Sequence, residues 1–591
     1  MFIGKIKNHI LAIFLAICVG AIYASHHFFI PMFSPDEDDG IYQPITANSY
    51  YDESLFYAPK AGAVFWGRGI GGDYSTAEAP DGGGPSIAAP LNPLILGSLM
   101  KLFGSVKNGL IASDFIFPAI IFILLYFLVY EITAAPAASS LFAIVFVFAP
   151  KLALALPPTT NAAMKEILSA TFPFVNPAAL HFSEFDEPKL TFVFVALFAY
   201  LFMRALRRGG KLNTIAAGIS FGLLFYTYPY DWAVAAVVLV LTALFFLIQR
   251  RPYLARRTML IFGIGAAASV FYWLNWLELS KTAPDVITRL GGEVGRFFRL
   301  ETVWKHYLRI AALIPFLWWA LRDLNKKARV FLAAYLLSFV VAVNIQVITG
   351  FNAQPDHWYR TQFLPVALSV FFILYYFLPL FKGEGLRRGI GVFVIAWFLA
   401  ANFYGQYLYS AKDARAFYIP KDRYESYEWL KNNTPVGSVV GTLSFETNPA
   451  IQLFSHNKIF LPFGLSTLAA NDELWERFMV LGKIFGITPK EFRKLIIEEN
   501  GLYYLTVEQW GDKNFDAAFR DYDRLIHPDA LNDRVLEYEF YLKSQNDRNP
   551  YRLDYIYFDK KDPRWGRDPK IGESVFENEA AIIYLVRNSP P

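Results

Sequence analysis

Phe115-Ile116-Phe117-Pro118-Ala119-Ile120-Ile121-Phe122-Ile123-Leu124-Leu125-Tyr126-Phe127-Leu128-Val129-Tyr130 carries no charge. With Gly109 to Asp114 ahead of it, the run reaches roughly 22 residues, enough at 1.5 Å per residue to cross the hydrocarbon of a bilayer. It predicts a transmembrane helix with one isolated intramembrane acid, Asp114, which reads equally as a functional residue, the default for such acids, or as a structural hydrogen bond near the outer interface. Working outward, similar runs stand at Ile10–Phe29, Ala134–Ala149, Pro188–Met203, Ile215–Tyr228 and Trp232–Ile248. Others follow at Met259–Trp276, Tyr307–Leu321, Val330–Ile348, Phe363–Leu380 and Gly389–Gly405, which makes about eleven expected spans. The composition agrees: of 591 residues, 55% are hydrophobic and only 18% charged, outside the soluble range. The one cysteine, Cys18, excludes an intramolecular disulfide and reads as a packing residue of the first span.

The charges between the runs orient them, because cytoplasmic connections are enriched in Lys and Arg. Four short connections are basic: Arg204/Arg207/Arg208/Lys211, Arg250/Arg251/Arg256/Arg257, Arg322/Lys326/Lys327/Arg329 and Lys382/Arg387/Arg388. Counted through eleven spans, all four fall on the same side, together with Lys5 and Lys7. The long polar loops, Pro31 to about Asn108, Lys151–Glu187, Leu277–His306 and Phe351–Gln362, then face outside, as does everything after about Gln406. No Gly-x-x-x-x-Gly-Lys-Ser/Thr loop occurs, which disfavours an ATP-driven pump.

From about Ser410 charges become frequent and apolar runs shorten. Helical periodicity at Asp422–Asn432, Asn448–His456, Asp472–Phe485 and Pro489–Glu499 alternates with strand-like runs at Ser438–Leu443, Lys458–Pro462, Leu502–Val507 and Ala581–Val586. Asp512–Asp568 is polar and shows no clear period. The expected fold is therefore mostly α: a polytopic transmembrane helical bundle over residues 1–409, then an extracytoplasmic α/β domain over 410–591. That domain has no phosphate loop, nucleophile elbow or metal spacing, and reads as a lid or acceptor-docking module.

Three acidic groups stand in the outer loops. Asp36-Glu37-Asp38-Asp39 is dense enough to stay solvated or to collect a divalent cation. Tyr51-Asp52-Glu53-Ser54-Leu55-Phe56-Tyr57-Ala58 ranks first, because the apolar, aromatic Leu55–Trp66 behind it suits an interfacial helix that would hold the acids at the bilayer. Glu184-Asp186-Glu187 sits at the mouth of the fourth span, as acceptor or metal ligands or as plain interfacial charge. Outer basic residues run against the charge bias. Arg289 and Arg296 share a face with Glu293 if their segment is helical, with Arg299 following, and Gly291-Gly292 weakens that assumption. Arg360 and His357 lie in a compact loop before the tenth span, where Arg360 is well placed to clamp a lipid phosphate and His357 reads equally as an interfacial residue.

Two acids followed closely by Tyr and Ala, just after the first apolar run, resemble the first-loop motif of membrane-embedded GT-C glycosyltransferases. These include the protein O-mannosyltransferases and the aminoarabinose transferases of lipid A. Pro90–Leu99 is similar to the second amphipathic element of that loop. The resemblance implies an inner-membrane enzyme that moves a sugar from a polyprenyl phosphate, with inversion, to an extracytoplasmic glycan, lipid or protein. It implies Asp52 as base, Glu53 as its orienting partner, and Arg360 with some of Arg289, Arg296 and Arg299 at the phosphate. Asp36, Asp38, Asp186 and His357 remain as acceptor-side or secondary acidic positions. The partners implied are the lipid-linked sugar and the bilayer, with no nucleotide or nucleic acid. The resemblance fixes no cofactor and leaves a divalent cation open, since oligosaccharide-transferring members use one and single-sugar transferases need not. A secondary transporter would explain the spans and Asp114 but shows no repeated halves; an envelope-assembly scaffold would explain the outer domain but not the first-loop acids.

Overall fold

The computed structural model describes residues 9–33, 40–45, 57–78, 83–87, 89–155, 161–185, 187–289, 292–299, 304–320, 326–353, 355–377, 384–498, 501–505, 528–544, 549–562 and 566–586. Within the described residues most apolar runs form one helix each. In chain order the first half contains α1 (Ile10–Phe29), β1 (Gly40–Tyr42), α2 (Ala58–Phe65), α3 (Leu91–Leu102), α4 (Val106–Thr133), α5 (Pro136–Phe148), α6 (Lys189–Arg208), α7 (Lys211–Leu224) and α8 (Pro229–Ile248). There follow α9 (Pro252–Ala268), α10 (Val270–Thr282), α11 (Pro284–Arg289), β2 (Gly292–Val294), α12 (Trp304–Ala320), α13 (Lys326–Ala342), β3 (Phe351–Ala353), α14 (Phe363–Phe377) and α15 (Glu384–Asp413). Among the described residues five helices are long and apolar enough to cross a membrane, or six if the bent pair α9 and α10 is one span.

The sequence placed one span over Met259–Trp276, but the chain there turns by 48°. The bend falls at Ser269, whose hydroxyl donates to the Ala266 carbonyl (2.9 Å) and accepts from Trp273 Nε1 (3.2 Å), a side chain competing with the helix ladder. Glycines let neighbouring helices close: a Cβ on Gly218 would meet Ile264 Cβ at 2.6 Å, and one on Gly222 would meet Ala268 Cβ at 2.6 Å. This is the small-residue packing of membrane helices, where dispersion and close approach replace the hydrophobic effect. Large apolar side chains such as Leu244, Ile248, Phe271 and Phe393 face outward, as lipid contact requires.

Basic connections gather at one end of the bundle. Arg208 donates to both oxygens of Glu131 (2.9 and 2.7 Å), Arg257 to the Ala205 carbonyl (3.3 Å) and Lys327 to the Arg207 carbonyl (3.3 Å). The connections joining α6 to α7 and α8 to α9 and the first turn of α13 therefore share one surface, and the chain is a multi-pass membrane protein.

At the opposite end the chain continues into β4 (Tyr418–Pro420), α16 (Lys421–Asn433), β5 (Val439–Gly441), α17 (Thr447–Phe454), β6 (Lys458–Ile459), α18 (Asn471–Ile484), α19 (Pro489–Ile497), α20 (Gly501–Leu505), α21 (Pro528–Lys543), β7 (Tyr555–Asp559), β8 (Glu573–Glu577) and β9 (Ala581–Leu585). Sheet order is β6-β5-β7-β9-β8, parallel across β6-β5-β7 and antiparallel at β9. The strand expected at Leu502–Val507 is not there: residues 501–505 are helical, with Tyr504 stacked on Phe445 (centroids 4.1 Å) and bonded to the Leu461 carbonyl (3.1 Å). A short apolar run does not distinguish the two states by period. Central strand β7 and edge strand β8 were not expected from sequence, because part of Asp512–Asp568 looked aperiodic and the alternation of β8 is mostly polar. Helix α15 runs to Asp413, so the sequence boundary at 409/410 falls within its last turns.

The two parts share a core. Ala58 and Ala61 of α2, Leu96 and Met100 of α3, and Val106 and Phe117 of α4 belong to one buried cluster with Leu430, Val440, Ile451, Tyr557 and Ile583. Helix α2 lies between α3 and α17: a Cβ on Gly97 would strike Val64 Cβ at 2.5 Å, and one on Gly62 the Gln452 carbonyl oxygen at 2.8 Å. Past α2, Arg68 donates to the carbonyls of Tyr74, Asn457 and Gln452, and the Ile459 amide donates to the Ser75 carbonyl (3.0 Å) along the open edge of β6. Asp73, fully buried, accepts from the amides of Ser75 (2.8 Å) and Leu468 (2.8 Å). The first loop is thereby fastened to the α/β domain, a geometry suited to a fixed support.

Candidate functional site

At the end of the bundle remote from the basic connections, the first turns of α6 and α8 meet the loop before α14. That loop, a 3-10 helix over Pro355–Gln362, is pinned by Trp358 Nε1 on Asn352 Oδ1 (2.7 Å), while Asn352 Nδ2 donates to Gln346 Oε1 (2.9 Å). Between these elements opens a pocket lined by residues of all three. Its walls are mainly apolar, with Phe192, Val195 and Phe198 of α6 facing Val234 and Ala235 of α8 and Leu364 of α14. The lining reaches about 13 Å down α6 at 1.5 Å per residue.

Polar groups converge on this pocket. Glu187 is buried just before α6; one carboxylate oxygen pairs with Arg360 Nη1 and the other accepts from the Tyr57 hydroxyl (3.0 Å). Tyr57 follows Asp52 by five residues in the sequence and ties the first loop to Glu187. Burial by itself would ease the proton off Arg360, but the Glu187 carboxylate and neighbouring Tyr228 outweigh it, and the guanidinium holds its proton above the ordinary arginine range. Arg360 remains a permanent cation with a half-exposed side chain. His181 is driven the other way, down to about 3, by burial and by the charges of Lys151 and Arg360, so its imidazole is neutral at physiological pH. Tyr228 bonds to His357 Nδ1 and is pushed well above 10 by burial and by Glu187. His357 stacks on Tyr230 (centroids 5.1 Å) and braces the wall. Asp231, in the first turn of α8, also lines the pocket.

Of the expected site residues, Arg360 lies in this pocket and His357 at its rim. Asp36, Asp38, Asp52, Glu53 and Asp186 lie outside the described residues. The other arginines have separate surroundings. The helical face imagined for Arg289 and Arg296 does not form: α11 ends at Arg289, and Gly292–Val294 is a strand antiparallel to β3. Gly295, at φ +134, turns the chain after it. Arg289 is fully buried and donates to the carbonyls of Thr467 (3.2 Å) and Ala469 (2.8 Å); burial lowers its affinity for its proton to about 10, against the pull of Asp285. Arg296 donates to the carbonyls of Val347 and Ile348, and the Arg299 amide donates to Asn344 Oδ1 (2.7 Å). In the sequence Tyr57 stands only as the tyrosine of the first-loop motif, and Asp231 stands inside the aromatic run Phe225–Trp232, which reads as an interfacial belt. An acid in the first turn of a span was the available signal for Asp231, masked by the aromatic run around it.

Asp114 is not isolated. Lys189 donates to its Oδ1 (2.5 Å) and to Ser113 Oγ (2.9 Å), and His27 Nε2 donates to its Oδ2 (2.8 Å). Since the carboxylate only accepts, a proton sits on His27 Nε2, and His27 Nδ1 is hydrogen-bonded to the Tyr42 hydroxyl of β1 (2.5 Å). His26, His27 and Asp114 have donor atoms within 4.8 Å of one another, the spacing of a metal group. The fit is poor, because an ammonium and an imidazole N–H already occupy both oxygens of the only carboxylate. The network reads as a lock between α1, α4, α6 and β1.

No family model matches the chain, and no curated protein does. Among solved structures it is similar to the transferase ArnT from Cupriavidus metallidurans bound to undecaprenyl phosphate, with TM-score 0.46 and 10% identity over 98% of this chain and 97% of that one. It is similar to ArnT in the apo state, with TM-score 0.41 and 12% identity over 74% and 85% of the two chains. It is also similar to the Archaeoglobus fulgidus oligosaccharyltransferase tethered with an acceptor peptide, with TM-score 0.41 and 11% identity over 94% of this chain and 69% of that one.

Proposed function

We propose that this protein is a GT-C-type glycosyltransferase of the inner membrane, with its pocket and α/β domain on the extracytoplasmic side. It moves a sugar from a polyprenyl phosphate to an acceptor hydroxyl on a glycan, lipid or protein. The observation that carries the reading is the Arg360–Glu187 pair at the mouth of a mainly apolar pocket in the bundle end. A phosphate arriving on a lipid meets there a guanidinium held in place by a carboxylate, which the phosphate oxygens can replace or share through charge-assisted hydrogen bonds.

In this reading the acceptor oxygen attacks the anomeric carbon from the face opposite the phosphate. The C–O bond to the acceptor forms as the C–O bond to the phosphate breaks, and the bonding pair leaves with the polyprenyl phosphate. Arg360 stabilises the charge that grows on the departing oxygens. The acceptor proton goes to Asp52, with Glu53 orienting it. Asp52 stands five residues before Tyr57, a stretch of at most about 18 Å, and Tyr57 is bonded to Glu187 at the pocket. The fastening of α2 to the α/β domain supports a first loop fixed beside the pocket.

The test uses purified protein in detergent with a polyprenyl-phosphate sugar. Arg360→Ala is expected to weaken donor binding by about 1.5–3 kcal/mol. Asp52→Asn keeps the side-chain shape but cannot take the proton, so it should bind donor normally while turnover falls roughly 10²- to 10⁴-fold. Transfer by Asp52→Asn at close to the wild-type rate, or its loss in Asp38→Asn alone, would move the base elsewhere.

A further inference from the structure

Asp231 faces the pocket without a partner: among the described residues no hydrogen-bond donor and no cation pairs with its carboxylate. The guanidinium that lines the same pocket is engaged by Glu187. Of the surrounding walls, Leu224, Val234, Ala235 and Phe198 have no hydrogen to donate; the hydroxyls of Thr191, Thr361 and Tyr228 are engaged by the Pro188 carbonyl, the Trp358 carbonyl and His357, and among the described residues Tyr335 makes no hydrogen bond to Asp231. A carboxylate in a mainly apolar pocket within a membrane bundle is disfavoured unless something supplies donors. Water can do so while the pocket stands open, and a ligand that expels the water must bring its own.

We infer that Asp231 selects the sugar. Resting on the proposed function, it accepts hydrogen bonds from hydroxyls of a neutral glycosyl ring while Arg360 holds the phosphate. A carboxylate accepts from two adjacent hydroxyls at once, one on each oxygen. Phe192, Tyr335 and Phe363 line the same pocket and offer apolar ring faces to the C–H side of a sugar. Two carboxylates, Asp231 and Glu187, bound the space against one permanent cation, so a sugar with a carboxylate of its own is repelled. The ligand class is therefore an uncharged hydroxylated sugar on a lipid phosphate, with uronic acids excluded.

Binding of three lipids to detergent-purified wild type and Asp231→Leu separates the possibilities: bare polyprenyl phosphate, the same lipid bearing a neutral hexose, and the same lipid bearing a hexuronic acid. Wild type should bind the hexose lipid roughly 10- to 100-fold more tightly than the bare lipid, the scale of hydrogen bonds to a charged group, and should reject the uronic acid. Asp231→Leu should hold the bare lipid as before, lose the preference for hexose and tolerate the uronic acid. Asp231→Asn, closer in shape, should show the same loss of uronic-acid rejection and serves if the leucine variant does not fold. A preserved hexose preference and uronic-acid rejection in the variants overturns the inference and leaves the transferase reading standing. Wild type that binds neither the bare nor the hexose lipid overturns both.

Discussion

Removing the Asp114 carboxylate would leave the Lys189 ammonium, whose side chain is 2% exposed, with Ser113 Oγ as its one remaining hydrogen-bond partner among the described residues. A buried charge stripped of its counter-charge is far costlier than the intact pair is favourable, so Asp114→Ala should lower stability in detergent by about 3–5 kcal/mol. Lys189→Met in the same chain removes the stranded charge and should recover much of that loss; denaturant unfolding of the four members of the cycle measures the coupling. Additive losses would show that the pair is not the lock the geometry implies. Asp114 was visible in the sequence as an intramembrane acid, but His27 and Lys189 are separated from it by 87 and 75 residues, and no local pattern announces such pairings. Glu187 and Arg360 were likewise visible as members of acidic and basic outer loops. Their pairing across 173 residues was not.

At the scale of elements, α2 decides how the first loop is held. Its residues pack through glycine on one side and on the other: Gly97 of α3 admits Val64, and Gly62 admits the Gln452 backbone of α17. Gly62→Val puts a branched side chain where a Cβ already meets the Gln452 oxygen at 2.8 Å and Leu453 Cα at 3.1 Å. Backbone is in the way, so the helix must move, at about 1–3 kcal/mol. The expected outcome is faster amide hydrogen exchange in residues 66–78 and 452–469 with exchange in α4 and α6 unchanged, and, on the proposed function, lower turnover. Unchanged exchange in both segments would mean the α/β domain does not support the loop. Helical character in Leu55–Trp66 and Pro90–Leu99 was readable from apolar and amphipathic pattern, and α2 and α3 stand there. What they press against was not, since glycine in a sequence marks only that something comes close.

For the whole molecule, orientation rests on the basic connections, which the fold collects on one surface through Arg208, Arg257 and Lys327. If that surface is cytoplasmic, a reporter fused after Pro591 should read extracytoplasmic and one inserted at Lys326 cytoplasmic; the reverse result would invert every loop and place the pocket inside. The sequence by itself determined the membrane class, the approximate positions of most apolar helices and the basic character of the connections between them. Each of these follows from hydropathy over about 20 consecutive residues and from charges beside them, which are local quantities. It also marked the α/β domain by its change of composition, though not strands β7 and β8, whose residues gain their state from pairing with β5 and β9. Only the tertiary structure decided that the α/β domain shares a core with the first loop, that Arg360 meets Glu187 and Tyr57, and that Asp231 faces the same pocket unpaired. Those contacts are made between segments far apart in the chain, where side-chain shape and charge act through space and leave no period in the sequence.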